Sequence, residues 1–330
     1  MVGFASTGYV QTVPEYAIFR IITVMGTLST MNYFVAVLAT NWFPTKKGIA
    51  LGYITVGNNV SSMAAIWLIS IAWDKFGFGT GSIIYSLIGL IPLLLLAIFL
   101  PEYPEQCGEF PDSDKSMTRE EANRLLEEGR KYERESQWTV AKLLRTPQVW
   151  KIGITLGLMC LTISGILTHL VAIFTSRGFD TTAAMTGMSV CSIIAIPLSI
   201  LLGILDSKVG SKKATIVLGV VMAVSFFLSL IPTKWSVVFA ALAAAADMGC
   251  LNNVATSLPA SIFGRYDMKR AQSVILPIMQ VLQAIGVGLT GVVADLTGGF
   301  TVVLAIMGVC SIVGVLVLLT LKDECIGRIE

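Results

Sequence analysis

The chain has 330 residues, of which 55% are hydrophobic and 13% charged, with a formal net charge of +2 and a single histidine. Soluble domains carry about 25% charged residues, and a soluble core of this length cannot hide so much apolar surface. The small, scattered charge excludes a nucleic-acid binder, the lone His169 excludes a multi-histidine metal site, and a mean hydropathy of +0.78 leaves an all-α polytopic membrane protein.

A bilayer crossing needs about 20 mostly apolar residues. Nine full stretches qualify: 16–42, 49–73, 80–100, 148–174, 181–205, 215–231, 235–262, 271–294 and 301–321. Ahead of them, residues 1–12 carry Phe4, Tyr9 and Val10 among small residues and read as the outer end of one more helix. No basic region followed by a short apolar core and a cleavage site precedes 16–42, so that stretch is read as membrane structure rather than as a signal peptide.

The first span holds Arg20, about one turn in, and Asn32. Arg20 is either a side chain that snorkels outward or an anion-binding cation. The second span contributes Asn59. Residues 101–147 form the one long hydrophilic segment. Within it, Thr118 and Glu121 make a capping box, and Glu120 with Arg124 and Glu127 with Lys131 make i,i+4 pairs, so a short soluble helix is expected there. The run from Trp138 to Arg145 reads as a small amphipathic helix at the membrane interface. The segment is read as a connector, the alternative being a docking site for a partner.

Six further spans follow, and their polar residues are costly in hydrocarbon and therefore functional candidates. His169, near the outer end of the fourth, either titrates near neutral pH or is held by a neighbouring backbone or hydroxyl group. Asp247 is the one carboxylate inside a span, either a proton carrier or a structural acid. Asn252 and Asn253 continue its polar stripe. Gln280 and Gln283 share a helix face by their i,i+3 spacing and either contact substrate or act as glue between helices. Six cysteines form no metal-ligand spacing, and four lie within spans, where a thiol packs as a small hydrophobe. No nucleophile and base pair and no phosphate loop appears, so neither an enzyme nor a bound cofactor is expected.

Alternate loops divide the charge unevenly. Nineteen of the 23 Lys and Arg fall on one side, including Lys46, Lys47, Lys212 and Lys213, and only Arg20, Lys75, Arg177 and Lys234 on the other. By the positive-inside bias the charged loops and the C-terminus are expected in the cytoplasm of a multi-pass plasma-membrane protein.

Sliding the chain along itself by 221 residues pairs the first three spans with the last three without a gap. Asn32 meets Asn253, Asp74-x-x-Gly77 meets Asp295-x-x-Gly298, and Thr80 meets Thr301. Parallel repeats of this kind build secondary transporters. The offset places Asn59 and Ser62 opposite Gln280 and Gln283. It also implies a protein of twelve spans, of which nine are complete here. The expected domains are a partial N-terminal bundle (1–100), a cytoplasmic loop (101–147), a C-terminal six-helix bundle (148–322) and a tail (323–330).

Two loops carry a family resemblance. Gly203-Ile-Leu205-Asp206-Ser207-Lys208-Val-Gly210-Ser-Lys212-Lys213 is similar to the G-x-L-x-D-R-x-G-R-K loop of the major facilitator superfamily, with Ser207 in the place of the acid and Asp206 one residue earlier. The segment Asn41-Trp42-Phe43-Pro44-Thr45-Lys46-Lys47-Gly48-Ile-Ala50-Leu-Gly52 resembles the W-F-P-x-K/R-R-G-x-A-x-G run of oxalate/formate antiporter-like and monocarboxylate porter-like members, and Pro101-Glu-Tyr-Pro104-Glu fits the same group. The resemblance implies a major facilitator-type bundle. It also implies alternating-access transport of a small organic anion, by proton coupling or exchange, in a monomer.

On that reading Lys46, Lys47, Gly48, Asp206, Gly210, Lys212 and Lys213 belong to gating loops. Gln280, Gln283, Asn59, Asn32, Asn253, His169 and Arg20 are substrate-site candidates, and Asp247 is the proton-coupling candidate. Oxalate transporters of the group use an Arg in the eighth helix and a Lys in the eleventh. Residues 181–205 contain no cation, and 271–294 offer Gln280 and Gln283 instead, so oxalate itself is not expected. The competing expectations are a non-transporting or regulatory membrane remnant and, with less support, a polytopic enzyme.

Overall fold

The computed structural model describes residues 2–10, 12–27, 35–44, 46–113, 118–136, 138–322 and 325. The described residues contain helices and no strand, as hydrocarbon demands of a spanning chain whose backbone groups must find partners within one segment. In order, the α-helices are α1 (Val2–Thr7), α2 (Val13–Thr27), α3 (Val35–Trp42), α4 (Lys47–Phe99), α5 (Arg119–Glu135), α6 (Val140–Leu144), α7 (Pro147–Ser176), α8 (Thr181–Val209), α9 (Ser211–Leu228), α10 (Val237–Thr297) and α11 (Thr301–Leu319).

Helix ends follow the local chemistry. Thr118 accepts from the Glu121 amide at 3.3 Å, which is one arm of the expected capping box. Asp180 caps α8 by accepting from the Ala183 amide at 3.4 Å. Pro147 opens α7, where a missing N–H costs nothing.

Two of these helices turn back on themselves. The backbone leaves helical geometry at Gly77 in α4 (φ 74°, ψ 167°) and at Gly264 in α10 (φ 73°, ψ −179°). The positive φ at both favours glycine. Gly298, which ends α10, also has positive φ (69°). The repeat partners Gly77 and Gly298 are therefore both left-handed turn glycines. The same offset puts the Gly264 bend opposite the break between α3 and α4.

Seven stretches among the described residues are long and apolar enough to cross a membrane, against nine expected. The six that follow residue 146 coincide with the expected six. The difference lies earlier. The expected span 16–42 falls on α2 and α3, which are separated by positions outside the described residues. The expected spans 49–73 and 80–100 both lie in α4, and the apolar run from Ile71 to Leu96 passes through the Gly77 turn. A helix cannot continue through that geometry, so the chain bends within this run, which is the one stretch of α4 that qualifies among the described residues.

The chain forms two packing units: Met1–Pro44 with Gly57–Arg124, and Thr45–Val56 with Leu125–Glu330. In the second, α7 buries Ile152, Leu156, Met159, Ile166 and Leu170, a helical stripe, against the alanine run Ala243–Ala246 of α10 and its neighbours. Small residues bring α7 and the second half of α10 together. A methyl on Gly157 would collide with the Leu282 side chain, and one on Gly286 with the Leu161 carbonyl oxygen. Between them Ser164 donates to the Gln283 carbonyl at 2.7 Å.

Candidate functional site

The two family-like loops come together at the charged end of the second unit. Pro44 follows the end of α3, and α4 starts afresh at Lys47, so Gly48 and Gly52 lie on its first two turns. Both face α8. A methyl on Gly48 would fall 2.6 Å from Asp206 Oδ2 and 2.8 Å from the Gly203 carbonyl oxygen. One turn on, Ser199 donates to the Gly52 carbonyl at 2.7 Å. From α10, the buried Asn253 donates Nδ2 to the Gly48 carbonyl at 3.2 Å.

Asp206 is buried within this junction, near Ser211, Ser257 and Lys47, and neither carboxylate oxygen has a hydrogen-bond partner among the described residues. Lys47 lies just ahead of the span. Its burial lowers its pKa from the ordinary 10.5, and attraction by Asp206 and then Cys325 only partly offsets this. Lys46 and Lys213 are exposed. Gly210 has φ 90° at the turn between α8 and α9. Lys212 donates to the Leu321 carbonyl, and Lys151 donates to the Thr320 carbonyl at 2.8 Å. The two lysines thus neutralise the C-terminal end of α11.

In the first unit the W-F-P segment holds the chain that leaves α4. Trp42 Nε1 donates to the Pro101 carbonyl and Asn41 Nδ2 to the Glu102 carbonyl, both at 3.2 Å. The adjacent Tyr103 is 1% exposed. The two sequence features that suggested one subgroup are therefore hydrogen-bonded to each other.

Deeper in the second unit, Asp247 is fully buried and neither carboxylate oxygen has a hydrogen-bond partner among the described residues. Asn252 offers its carbonyl to Thr256 at 3.1 Å. Gln280 and Gln283 are half-buried. The backbone carbonyl of Gln283 accepts from Ser164 of α7, and the two side chains share one face of α10 by their i,i+3 spacing. His169 Nδ1 lies 3.0 Å from the Gly165 carbonyl oxygen, the backbone contact that fixes its tautomer with Nδ1 as donor. Of the remaining candidates, Asn32 lies outside the described residues, as do the side chains of Arg20 and Asn59.

The sequence missed a polar cluster at the α10 bend. Asp267 is fully buried. It accepts from the Tyr132 hydroxyl at 2.8 Å and from the Ser136 hydroxyl at 2.5 Å. Arg270 donates to the carbonyls of Ser136 at 3.0 Å and Trp138 at 3.4 Å, and the Trp138 ring meets Phe263 edge-on at 5.6 Å. A methyl on Gly129 would collide with the Tyr266 ring. Intramolecular docking thus occupies this face of the central helix. The available signal was Asp267 itself, the one acid in a loop carrying Arg265, Lys269 and Arg270.

Helical hairpins turning on left-handed glycines, with buried polar groups between apolar helices, define a polytopic membrane protein of the transporter type. The chain belongs to the Major Facilitator Superfamily, whose family model matches residues 1–242. The fold is similar to that of the proton:xylose symporter XylE, with 14% identity, a TM-score of 0.73, and coverage of 97% of this chain and 78% of that one. It is also similar to the E. coli fucose:proton symporter FucP, with 14% identity, a TM-score of 0.71, and coverage of 98% and 80%. A bacterial homologue of the iron transporter ferroportin matches at 11% identity with a TM-score of 0.62, covering 98% and 77%. No curated protein sequence matches the chain.

Proposed function

We propose that this protein is a secondary active transporter that moves a small organic anion of the monocarboxylate class by alternating access, driven by protons or by exchange. The charged loops face the cytoplasm of the plasma membrane. The observation that carries the reading is the amide pair of Gln280 and Gln283, half-buried on one helix face. Each amide offers donors to a carboxylate and an acceptor to a hydroxyl. The W-F-P segment and its partner loop support placement near the oxalate/formate antiporter-like and monocarboxylate porter-like members.

A second reading, a neutral sugar or polyol, is favoured by the lack of any cation in 181–205 and 271–294. Amides serve hydroxyls as well as carboxylates, and two fold neighbours are described as sugar symporters.

Uptake of labelled lactate, acetate, xylose and fucose into proteoliposomes under an inward proton gradient separates the two. Saturable lactate or acetate uptake supports the anion, and saturable sugar uptake replaces it with the neutral solute. Gln280→Ala and Gln283→Ala should each weaken the apparent affinity about tenfold, as expected for a hydrogen bond to a charged group worth about 1.5 kcal/mol. Unchanged uptake kinetics in both variants removes the pair from the site.

A further inference from the structure

At the end of the second unit away from the charged loops, α7, α8 and α10 line an apolar groove of about 710 Å³. Its wall on α8 runs from Thr182 to Ile194 and its wall on α10 from Trp235 to Leu242, with Phe174 at the back. The twelve helical rises from Thr182 to Ile194 measure roughly 18 Å, while one leaflet of hydrocarbon is about 15 Å deep. The groove is therefore a slot as deep as a leaflet. Val190 and Val238, one on each wall, remain 44% and 47% exposed.

The mouth is aromatic and cationic. Phe179 stacks edge-on against Trp235 at 5.3 Å, and the Lys234 ammonium sits 4.5 Å from the Phe179 ring centroid. Trp235 is 69% exposed. Tryptophan beside lysine at a helix end is the pattern of the membrane–water interface. Lys234 is also one of only four cations on the poorly charged side of the chain.

The polar atoms of the wall are largely committed within the protein. Asp180 caps α8, the Thr186 hydroxyl donates to the Thr182 carbonyl at 2.9 Å, and the Cys191 thiol donates to the Ala241 carbonyl at 3.3 Å. A small polar solute finds little here to hold it, whereas a hydrocarbon chain finds a mostly apolar wall with Asp180 also among its lining residues and the Lys234 ammonium over Phe179 at its mouth. We propose that the groove binds one anionic glycerophospholipid from the adjacent leaflet, with an acyl chain between α8 and α10 and the phosphate at Lys234.

Native mass spectrometry of the purified protein, titrated with phosphatidylglycerol or phosphatidylcholine, tests this. The wild type should retain one phosphatidylglycerol in preference to phosphatidylcholine. Val190→Trp should lose it by filling the slot from α8, and Val238→Trp should lose it by filling the slot from α10, so that two independent variants report even if one folds poorly. Lys234→Gln should weaken the complex about fivefold and abolish the headgroup preference, since one lysine near an anionic lipid contributes about 1 kcal/mol. Equal phospholipid retention by the wild type and a folded Trp variant overturns the proposal. So does displacement of the lipid by millimolar lactate or xylose, which would make the groove part of the solute path.

Discussion

A methyl group on Gly203 would lie 2.5 Å from the carbonyl oxygen of Gly48, so the helices carrying these residues meet backbone to backbone. Asn253 ties the same carbonyl from a third helix. Contacts this close exist only where both residues lack a side chain, and they make the junction sensitive to single atoms. In a transporter that alternates between two arrangements, such a contact stabilises whichever arrangement contains it.

Gly203→Ala should therefore destabilise the junction by about 1–3 kcal/mol, the usual cost of overpacking. Gly288→Ala is the control, since a methyl there meets nothing within 4 Å and replaces a poor helix former with a good one. Thermal denaturation of both purified variants checks this. A Gly203→Ala midpoint equal to that of Gly288→Ala would show that the close approach carries no energy.

Lys47 and Asp206 give the junction a pH dependence. Burial holds the Lys47 pKa below 10.5, and the nearby Asp206 charge raises it part of the way back. Between the lowered value and 10.5 the unfolded chain binds more protons than the folded one, so this lysine's contribution to stability rises with pH in that window. Below the window both states are protonated and the burial cost is fully present. Asp206→Asn should lower the Lys47 pKa further. Competitive amine labelling read by peptide mass spectrometry should give a half-reaction pH below 10.5 in the wild type and a lower one in the variant. An upward shift in the variant would reverse the assigned sign.

The clasp at Asp267 predicts an energetic coupling. Tyr132→Phe and Ser136→Ala each remove one hydroxyl donor, a loss of about 1 kcal/mol in a typical case. The double variant leaves a buried acid without either donor, so its cost should exceed the sum of the single costs. Trypsin cleavage after Arg124 and Lys131, both on the exposed side of α5, reports release of the helix. The double variant should be cut about fivefold faster or more. Additive single effects would mean that the two hydroxyls act independently.

What the sequence made legible was local. The turn glycines Gly77 and Gly298 could be read because a left-handed backbone favours glycine wherever it occurs, and the T-x-x-E cap at Thr118 because its partner is three residues away. The Trp42 bond to the Pro101 carbonyl joins residues 59 apart, and the Tyr132 bond to Asp267 joins residues 135 apart. No periodicity encodes either contact. Lys212 shows the opposite limit. Its motif placed it in a loop, and its ammonium reaches the Leu321 carbonyl 109 residues away, because a helix C-terminus attracts whichever cation is in reach. Gln272 was not singled out, although it is buried and donates to the Ala255 carbonyl at 3.4 Å, since one glutamine near a helix end looks like a surface residue.

Asp247 provides the sharpest test of coupling. Structural acids in protein interiors are almost always hydrogen-bonded, and a buried charge without a donor is expensive. Both oxygens of Asp247 lack a partner among the described residues, so the two readings of this acid, proton carrier and structural acid, make different predictions for its amide variant. Asp247→Asn keeps the shape and removes the titration. The variant should fold at least as stably as the wild type and should still exchange labelled for unlabelled substrate across proteoliposomes. It should lose accumulation driven by a pH gradient. Accumulation at the wild-type level would eliminate Asp247 as the proton carrier, and a collapse in stability for Asp247→Asn would make it a structural acid whose donors form only in another arrangement of the helices.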